Sequence, residues 1–148
     1  MFEFCIATKN KTMSKIAVLT GGSRGLGREM VISLAKEGYD IVFSYHTNLE
    51  KANEVIQEVI ALGKNAKAFS FNAKEFHDIK IFIDKVTAYL KEVNGSPNFD
   101  FLINNAGTGI HNLIANTKET EFDETLNIHL KSVYFLTQAA LPFLNNSG

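Results

Sequence analysis

The sequence predicts an α/β fold in which a parallel sheet is covered by helices on both faces. Two observations carry that expectation. Short apolar runs of strand length alternate four times with longer segments whose apolar residues recur at helical spacing. The strand-like runs are apolar almost throughout, the pattern of strands buried on both sides. Right-handed crossovers between such strands give a visible strand order of 3-2-1-4.

Ile16 to Leu19 is too short for a helix and is closed by Gly21 and Gly22, so it reads as the first strand. The next segment places Leu26, Met30, Leu34 and neighbouring Val31 on one helical face, with Gly38 as its stop. Ile41 to Phe43, β-branched and aromatic, is the second strand. From about Leu49, the residues Ala52, Val55, Ile56, Val59 and Ile60 mark a second helix that ends at Gly63. Ala66 to Phe71 is the third strand, and Phe76, Ile79, Phe82, Ile83, Val86 and Leu90 form a third helical stripe. Asn94, Gly95, Ser96 and Pro97 break it before a fourth strand, Phe99 to Ile103.

A last helix begins near Thr120 or Glu121 and turns Phe122, Leu126, Leu130, Val133 and Ala140 toward the sheet. Glu121, Asp123 and Glu124 suit its positive end, and Pro142 ends it by removing a donor. Phe69, Phe71, Phe76 and Phe82 fall at strand or helix periods and read as core, while Lys51, Lys64, Lys67 and Lys74 read as solvated faces.

A chain of 148 residues with 45% hydrophobic content can bury one sizeable core. Residues 13–148 are expected to form a partial dinucleotide-binding domain, and residues 1–12 a loose extension or upstream segment, with Met13 one candidate for the start. An edge strand from Phe2 to Ala7 is the alternative. The 15 basic and 16 acidic residues are spread without blocks and give a formal charge of −1, which argues against nucleic acid as a partner. No apolar run is long enough to cross a bilayer, and the first twelve residues lack the layout of a secretory signal. Cys5 has no second cysteine to pair with and no metal-ligand companion, so no metal is expected, and a cytoplasmic location follows as the default.

The chemistry is concentrated where the first strand meets its helix. Gly21, Gly25 and Gly27, with Gly22 adding turn freedom, occupy a strand–turn–helix junction. Residues without a Cβ let the backbone turn sharply and approach a ligand, and the helix N-terminus offers unpaired N–H groups to phosphate. Ser23 offers a hydroxyl and Arg24 a charge-assisted donor. The junction is expected to be the phosphate site of a Rossmann-type fold that binds a dinucleotide, in preference to a tight strand–helix turn with no ligand. NAD-binding chains place an acid at the end of the second strand to accept from the ribose hydroxyls. Here Ser44, Tyr45 and His46 stand there, with no acid before Glu50, so NADP is expected in preference to NAD. His46 reads as a solvent-facing loop residue. Asn104, Asn105, Ala106 and Gly107 follow the fourth strand, where small residues let backbone groups lie near a planar ligand and the amides can pin neighbouring strands. Gly109 adds flexibility, and His111 reads as a loop residue.

The run Thr20–Gly21–Gly22–Ser23–Arg24–Gly25–Leu26–Gly27, taken with Asn104–Asn105–Ala106–Gly107, resembles the short-chain dehydrogenase/reductase family, especially its 3-oxoacyl carrier-protein reductase-like branch. The resemblance begins near Ser14 and runs to the end. It implies a nicotinamide cofactor, reversible reduction of a small carbonyl or oxidation of an alcohol, and a homodimer or homotetramer that buries long helices from this region. It assigns cofactor contacts to Thr20, Gly21, Ser23, Arg24, Gly25, Leu26, Gly27, Ser44, Tyr45, Asn72, Ala73, Asn105, Ala106 and Gly107.

Three departures stand out. Asn72 replaces an aspartate that the family usually sets near the adenine. His129, in His129–Leu130–Lys131–Ser132–Val133, takes the position of the family's active-site asparagine, which positions a relay water; nearby Asn127 does not. The family's serine, tyrosine and lysine act on the carbonyl, yet no Tyr-x-x-x-Lys spacing occurs among these 148 residues. Little or no turnover is therefore expected of this chain by itself. The alternative is a non-catalytic nucleotide-binding or protein-interaction module, with the edge of the fourth strand open to a partner.

Overall fold

A computed structural model describes residues 14–109 and 112–145. The extension at residues 1–12, Met13, the alternative strand from Phe2 to Ala7, Cys5 and His111 lie outside the described residues. Four strands, β1 (Ile16–Leu19), β2 (Asp40–Tyr45), β3 (Ala66–Ser70) and β4 (Phe101–Ile103), form one sheet in the order β3-β2-β1-β4. Every pairing is parallel, with Ala17 of β1 opposite Ile41 on one side and Phe101 on the other. This is the Rossmann-type order expected from the sequence. The helices are α1 (Gly25–Lys36), α2 (Leu49–Ala61), α3 (Phe76–Asn94), α4 (Glu119–Leu126) and α5 (Ser132–Ala140).

Successive strand residues face opposite ways, which is why an unbroken apolar strand needs cover on both sides. Ile16, Val18 and Val42 pack with Ile79, Phe82 and Val86 of α3 and Leu136 of α5. Ala17, Leu19, Ile41 and Phe43 pack on the other face with Val31 and Ala35 of α1 and Val55 and Val59 of α2. Both clusters are closed to solvent, and Phe43, Phe82 and Phe99 are fully buried. Helix α3 ends where Gly95 adopts a left-handed conformation at φ 74°, the conformation that a residue without a Cβ enters at least cost.

Two helical faces differ from the expected ones. In α1 the buried residues are Gly27, Val31, Ile32 and Ala35, while Leu26 is 68% exposed. Gly27 has no side chain to hold helix and strand apart, so it becomes the first residue of the contact stripe. Leu26, one position earlier, points about 100° away. In the last helical stretch the buried positions are Ile128, Ser132, Leu136 and Ala140, four residues apart. Phe122, Leu126 and Leu130 face outward instead, and Val133 is half-buried.

The stretch carries apolar residues on two sides, so periodicity alone does not choose between them. It also contains a wide turn, Asn127–Lys131, in which the Ser132 N–H donates to Asn127 O five residues back. Phe76 was expected in the core but is 54% exposed; its ring meets Phe135 edge-on at 5.0 Å.

Helix α5 stops at Ala140, before Pro142, in a tight turn over Leu141–Phe143. The chain then runs beside the start of β4: the Phe99 N–H donates to Phe143 O at 3.0 Å and the Asn145 N–H to Phe99 O at 2.9 Å. Asp100 ties this corner together. Its carboxylate accepts from the Ile16 N–H at 2.7 Å and from Asn145 Nδ2 at 3.0 Å.

Phe82→Ala removes a ring at the centre of the α3 face and is expected to destabilise the fold by about 3–5 kcal/mol. Urea unfolding followed by circular dichroism measures it. A loss below about 1 kcal/mol would mean that this face collapses around the vacancy.

Candidate functional site

The carboxyl ends of β1, β2 and β4 converge on a cleft of about 530 Å³. Its floor is the loop between β1 and α1, and the loop is held in place by β4. The Asn105 and Ala106 N–H groups donate to Thr20 Oγ1 at 3.1 and 3.0 Å. In return, Asn105 Nδ2 donates to Thr20 O at 3.0 Å and Gly21 O at 3.1 Å. On the other side Ser44 fixes the same loop, because the Gly21 N–H donates to Ser44 Oγ at 3.0 Å and the Gly22 N–H to Ser44 O at 2.8 Å.

The glycines serve different ends. Gly21 and Gly25 take positive φ, 76° and 55°, which bends the loop back over the strand. Gly27 allows close approach: a Cβ there would lie 2.0 Å from Gly21 O and 2.5 Å from Asn105 Nδ2. Gly22, read from sequence as turn freedom, instead sits against the Phe43 ring, where a Cβ would lie 2.7 Å from Cδ2.

Of the residues expected at a cofactor, Gly21, Ser23, Arg24, Gly25, Leu26, Gly27, Ser44, Asn72, Ala73, Asn105, Ala106 and Gly107 all line the cleft. Two do not. Thr20 is 2% exposed and its hydroxyl is engaged by two backbone donors, so it shapes the loop from beneath. Tyr45 is half-buried and packs with the core on the α1–α2 side, because strand alternation turns it away from Ser44. At Asn72 the side-chain oxygen accepts from the Lys74 N–H at 3.1 Å, which leaves the amide NH₂ for another partner. Asn104 points elsewhere: its Nδ2 donates to Thr137 Oγ1 of α5 at 3.1 Å.

His129 stands at the cleft's end and does not line it. Its Nε2–H donates to Thr108 O at 2.7 Å, and its ring lies over Gly107, where a Cβ would be 2.7 Å from Cε1. A carbonyl only accepts, so Nε2 is the donor in this bond. Ile128, one residue earlier and buried, does reach the cleft.

Sequence reasoning missed part of the wall. His46, Thr47, Asn48 and Lys51 line the cleft from the turn after β2 and the start of α2, and Lys74 lines it from the turn after β3. His46, Lys51 and Lys74, solvent-facing by sequence, are exposed and also line the cleft. The missing signal was spatial, since both turns sit at the same end of the sheet as the glycine loop. Among the described residues no carboxylate lines the cleft, whereas Arg24, Lys51 and Lys74 do. Lys74 is paired with Glu124 of α4. Arg28, one turn into α1, is turned to Glu58 of α2, whose carboxylate it grips at 2.7 and 2.6 Å. The arrangement suits an elongated anion whose phosphates rest on backbone N–H groups and whose flat ends lie against small residues.

The family model described as short chain dehydrogenase matches residues 15–148. A 3-oxoacyl-acyl-carrier-protein reductase of Staphylococcus aureus strain Mu50 is 36% identical over 130 residues, covering 88% of this chain and 50% of that protein. A short chain dehydrogenase from Burkholderia cenocepacia J2315, solved in complex with NADP, has a TM-score of 0.80 at 30% identity, covering 90% of this chain and 52% of that one. The angucycline C-6 ketoreductase LanV, solved with bound NADP, has a TM-score of 0.87 at 28% identity, again covering 90% and 52%. The chain spans about half the length of the curated relatives it matches. No helix among the described residues is long and apolar enough to cross a membrane.

Thr20→Val keeps the shape of the side chain and removes the acceptor for two backbone N–H groups. It is expected to cost about 1–3 kcal/mol in thermal or denaturant unfolding and to raise amide exchange at Asn105 and Ala106. Unchanged exchange at those two amides would show that the hydroxyl is not what holds the loop.

Proposed function

Because the chain belongs to the short chain dehydrogenase family, we propose that it forms the cofactor-binding part of an NADP-dependent oxidoreductase acting on a small carbonyl or alcohol substrate. The observation that carries this reading is the cleft over the glycine loop, which presents cations and, among the described residues, no carboxylate at the carboxyl ends of parallel strands. The residues present fit a dinucleotide. Gly27 lets α1 begin against Gly21 O, a position that any Cβ would fill.

On this reading the pyrophosphate is held by the loop's backbone and by Ser23 and Arg24, at the N-terminus of α1. Leu26, exposed at the loop, offers an apolar surface to the ligand. Asn72, through its free NH₂, and Ala73 flank the adenine, while Ala106 and Gly107 form the small-residue wall beyond it. When bound, the nicotinamide supplies or accepts the hydride. Thr20, Ser44 and Asn105 act as positioning residues that hold the loop open at the correct width. His129 fixes Gly107 and Thr108.

Proton transfer to the substrate oxygen needs an acid, and the Tyr-x-x-x-Lys pair implied by the resemblance is absent from these 148 residues. We therefore assign cofactor binding to this stretch and carbonyl chemistry to a protein that brings those groups to the same cleft. Association of copies completes the reading. Phe122, Leu126, Leu130, Tyr134 and Leu141 are 42–64% exposed along the last helices, an apolar surface suited to burial in a homodimer or homotetramer.

Titration of the chain with NADP⁺ and with NAD⁺ tests the cofactor. A preference of about tenfold or more for NADP⁺ is expected. Equal affinity would remove the phosphate-specific reading, and no binding by a folded chain would remove the nucleotide reading. Leu130→Glu, measured by sedimentation velocity, is expected to shift the chain to smaller species; an unchanged distribution would take Leu130 out of the interface.

A further inference from the structure

We infer that Asp78, in the first turn of α3, is a positioning residue of the cleft, an inference that rests on the nucleotide reading above. Its carboxylate sets the turn after β3 and so aims the free NH₂ of Asn72 at the cofactor's base.

The ladder between β2 and β3 ends at Phe71, whose N–H donates to Tyr45 O at 2.9 Å. The next backbone donor, the Asn72 N–H, has left the sheet and is met by Asp78 Oδ2 at 3.1 Å, six residues on. The carbonyl of Asn72 accepts from the Glu75 N–H at 3.0 Å, and its side-chain oxygen accepts from the Lys74 N–H at 3.1 Å. Each of these groups is tied to the residues that follow, and Nδ2 is left to reach outward. Asn72, Ala73 and Lys74 line the cleft, whereas Asp78 does not. Asp78 therefore acts on the cleft through Asn72.

An acid in the first turn of a helix ordinarily serves that helix, as a charge at its positive end or as a partner for its unpaired N–H groups. Asp78 is used differently. Glu75, the residue that precedes α3, makes no side-chain capping bond, and the Asp78 bond passes back beyond it to Asn72. The other carboxylate oxygen lies 3.2 Å from His77 Nε2, which restrains the group from its second side. Asn72 is half-buried. Without the acceptor its N–H would lose its partner there, and the peptide before it would be free to rotate and carry Nδ2 away from the cleft.

The test titrates the 148-residue chain and its Asp78→Ala and Asp78→Asn variants with NADP⁺ and with adenosine 2′,5′-bisphosphate, which keeps the adenosine and lacks the nicotinamide. Circular dichroism shows whether each variant is folded at the titration temperature. Asp78→Ala is expected to weaken both ligands by the same factor, about three- to tenfold, and to speed amide exchange at Asn72 more than at Asn105 and Ala106. Asp78→Asn keeps an acceptor and drops the charge, so it is expected to stay within about twofold of the unsubstituted chain for both ligands. An aspartate that only supplies charge to the helix end would make the two variants alike, and that outcome overturns the assignment. Unchanged binding in Asp78→Ala, or a loss confined to NADP⁺, overturns it as well. Should Asp78→Ala not fold, Asp78→Asn decides by itself, since a loss of more than about twofold there overturns the assignment. Failure of the folded unsubstituted chain to bind either ligand overturns the nucleotide reading instead, and is seen before any variant is made.

Discussion

The cleft depends on a reciprocal clasp between the ends of two adjacent strands. Thr20 at the end of β1 accepts two backbone N–H groups from the turn after β4, and Asn105 in that turn donates back to the carbonyls of Thr20 and Gly21. Each residue satisfies backbone groups beyond the last ladder bond, which the Thr20 N–H donates to Ile103 O at 3.0 Å. Buried backbone groups must find partners, so this is the means by which two parallel strands can both end at an open cleft. Without the clasp the glycine loop would have Ser44 alone to define its height above the sheet.

The clasp also explains the spacing of the glycines. Asn105 Nδ2 lies within 2.5 Å of where a Cβ on Gly27 would be, and Gly21 O lies at 2.0 Å. Helix α1 can start against β4's turn because position 27 has no side chain, and Asn105 can reach Gly21 O for the same reason. Three features that look separate in the sequence, a glycine, a threonine and an asparagine some eighty residues later, are one packed object. Sequence reading treated Thr20 as a ligand contact, and it gave the amides after the fourth strand a strand-pinning role without naming their partners. Hydrogen-bond partners at that separation become visible once the register of β1 against β4 is known.

The same distinction separates what was legible from what was not. Strand order, the parallel sense and the position of the glycine loop follow from local signals: apolar runs, their lengths and the residues that end them. Most of the cleft lining follows as well. The faces of α1 and of the last helices did not, because a helix with apolar residues on two sides gives no unique stripe. Leu26 and Leu130 are apolar for reasons unrelated to the core of this chain. Leu26 borders the cleft, and Leu130 lies on an uncovered surface. Lys51 and Lys74 are exposed, as their spacing implies, and the sheet also brings each to the rim of the cleft.

His129 shows how a ring at the end of the cleft is seated by its neighbours. The wide turn at Asn127–Lys131 shifts the helix register, so Ile128 turns into the cleft while His129 stays at its end. The imidazole then closes on Gly107, whose missing side chain leaves room for the ring, and bonds the next carbonyl. A residue with a Cβ at position 107 would collide with that ring at 2.7 Å. Gly107 thus does two jobs, giving the cleft a thin wall and giving His129 a seat. The direction of the ring's second nitrogen is set by the bond that the first nitrogen makes. Whatever chemistry this end of the cleft supports begins from a histidine already committed to holding the wall.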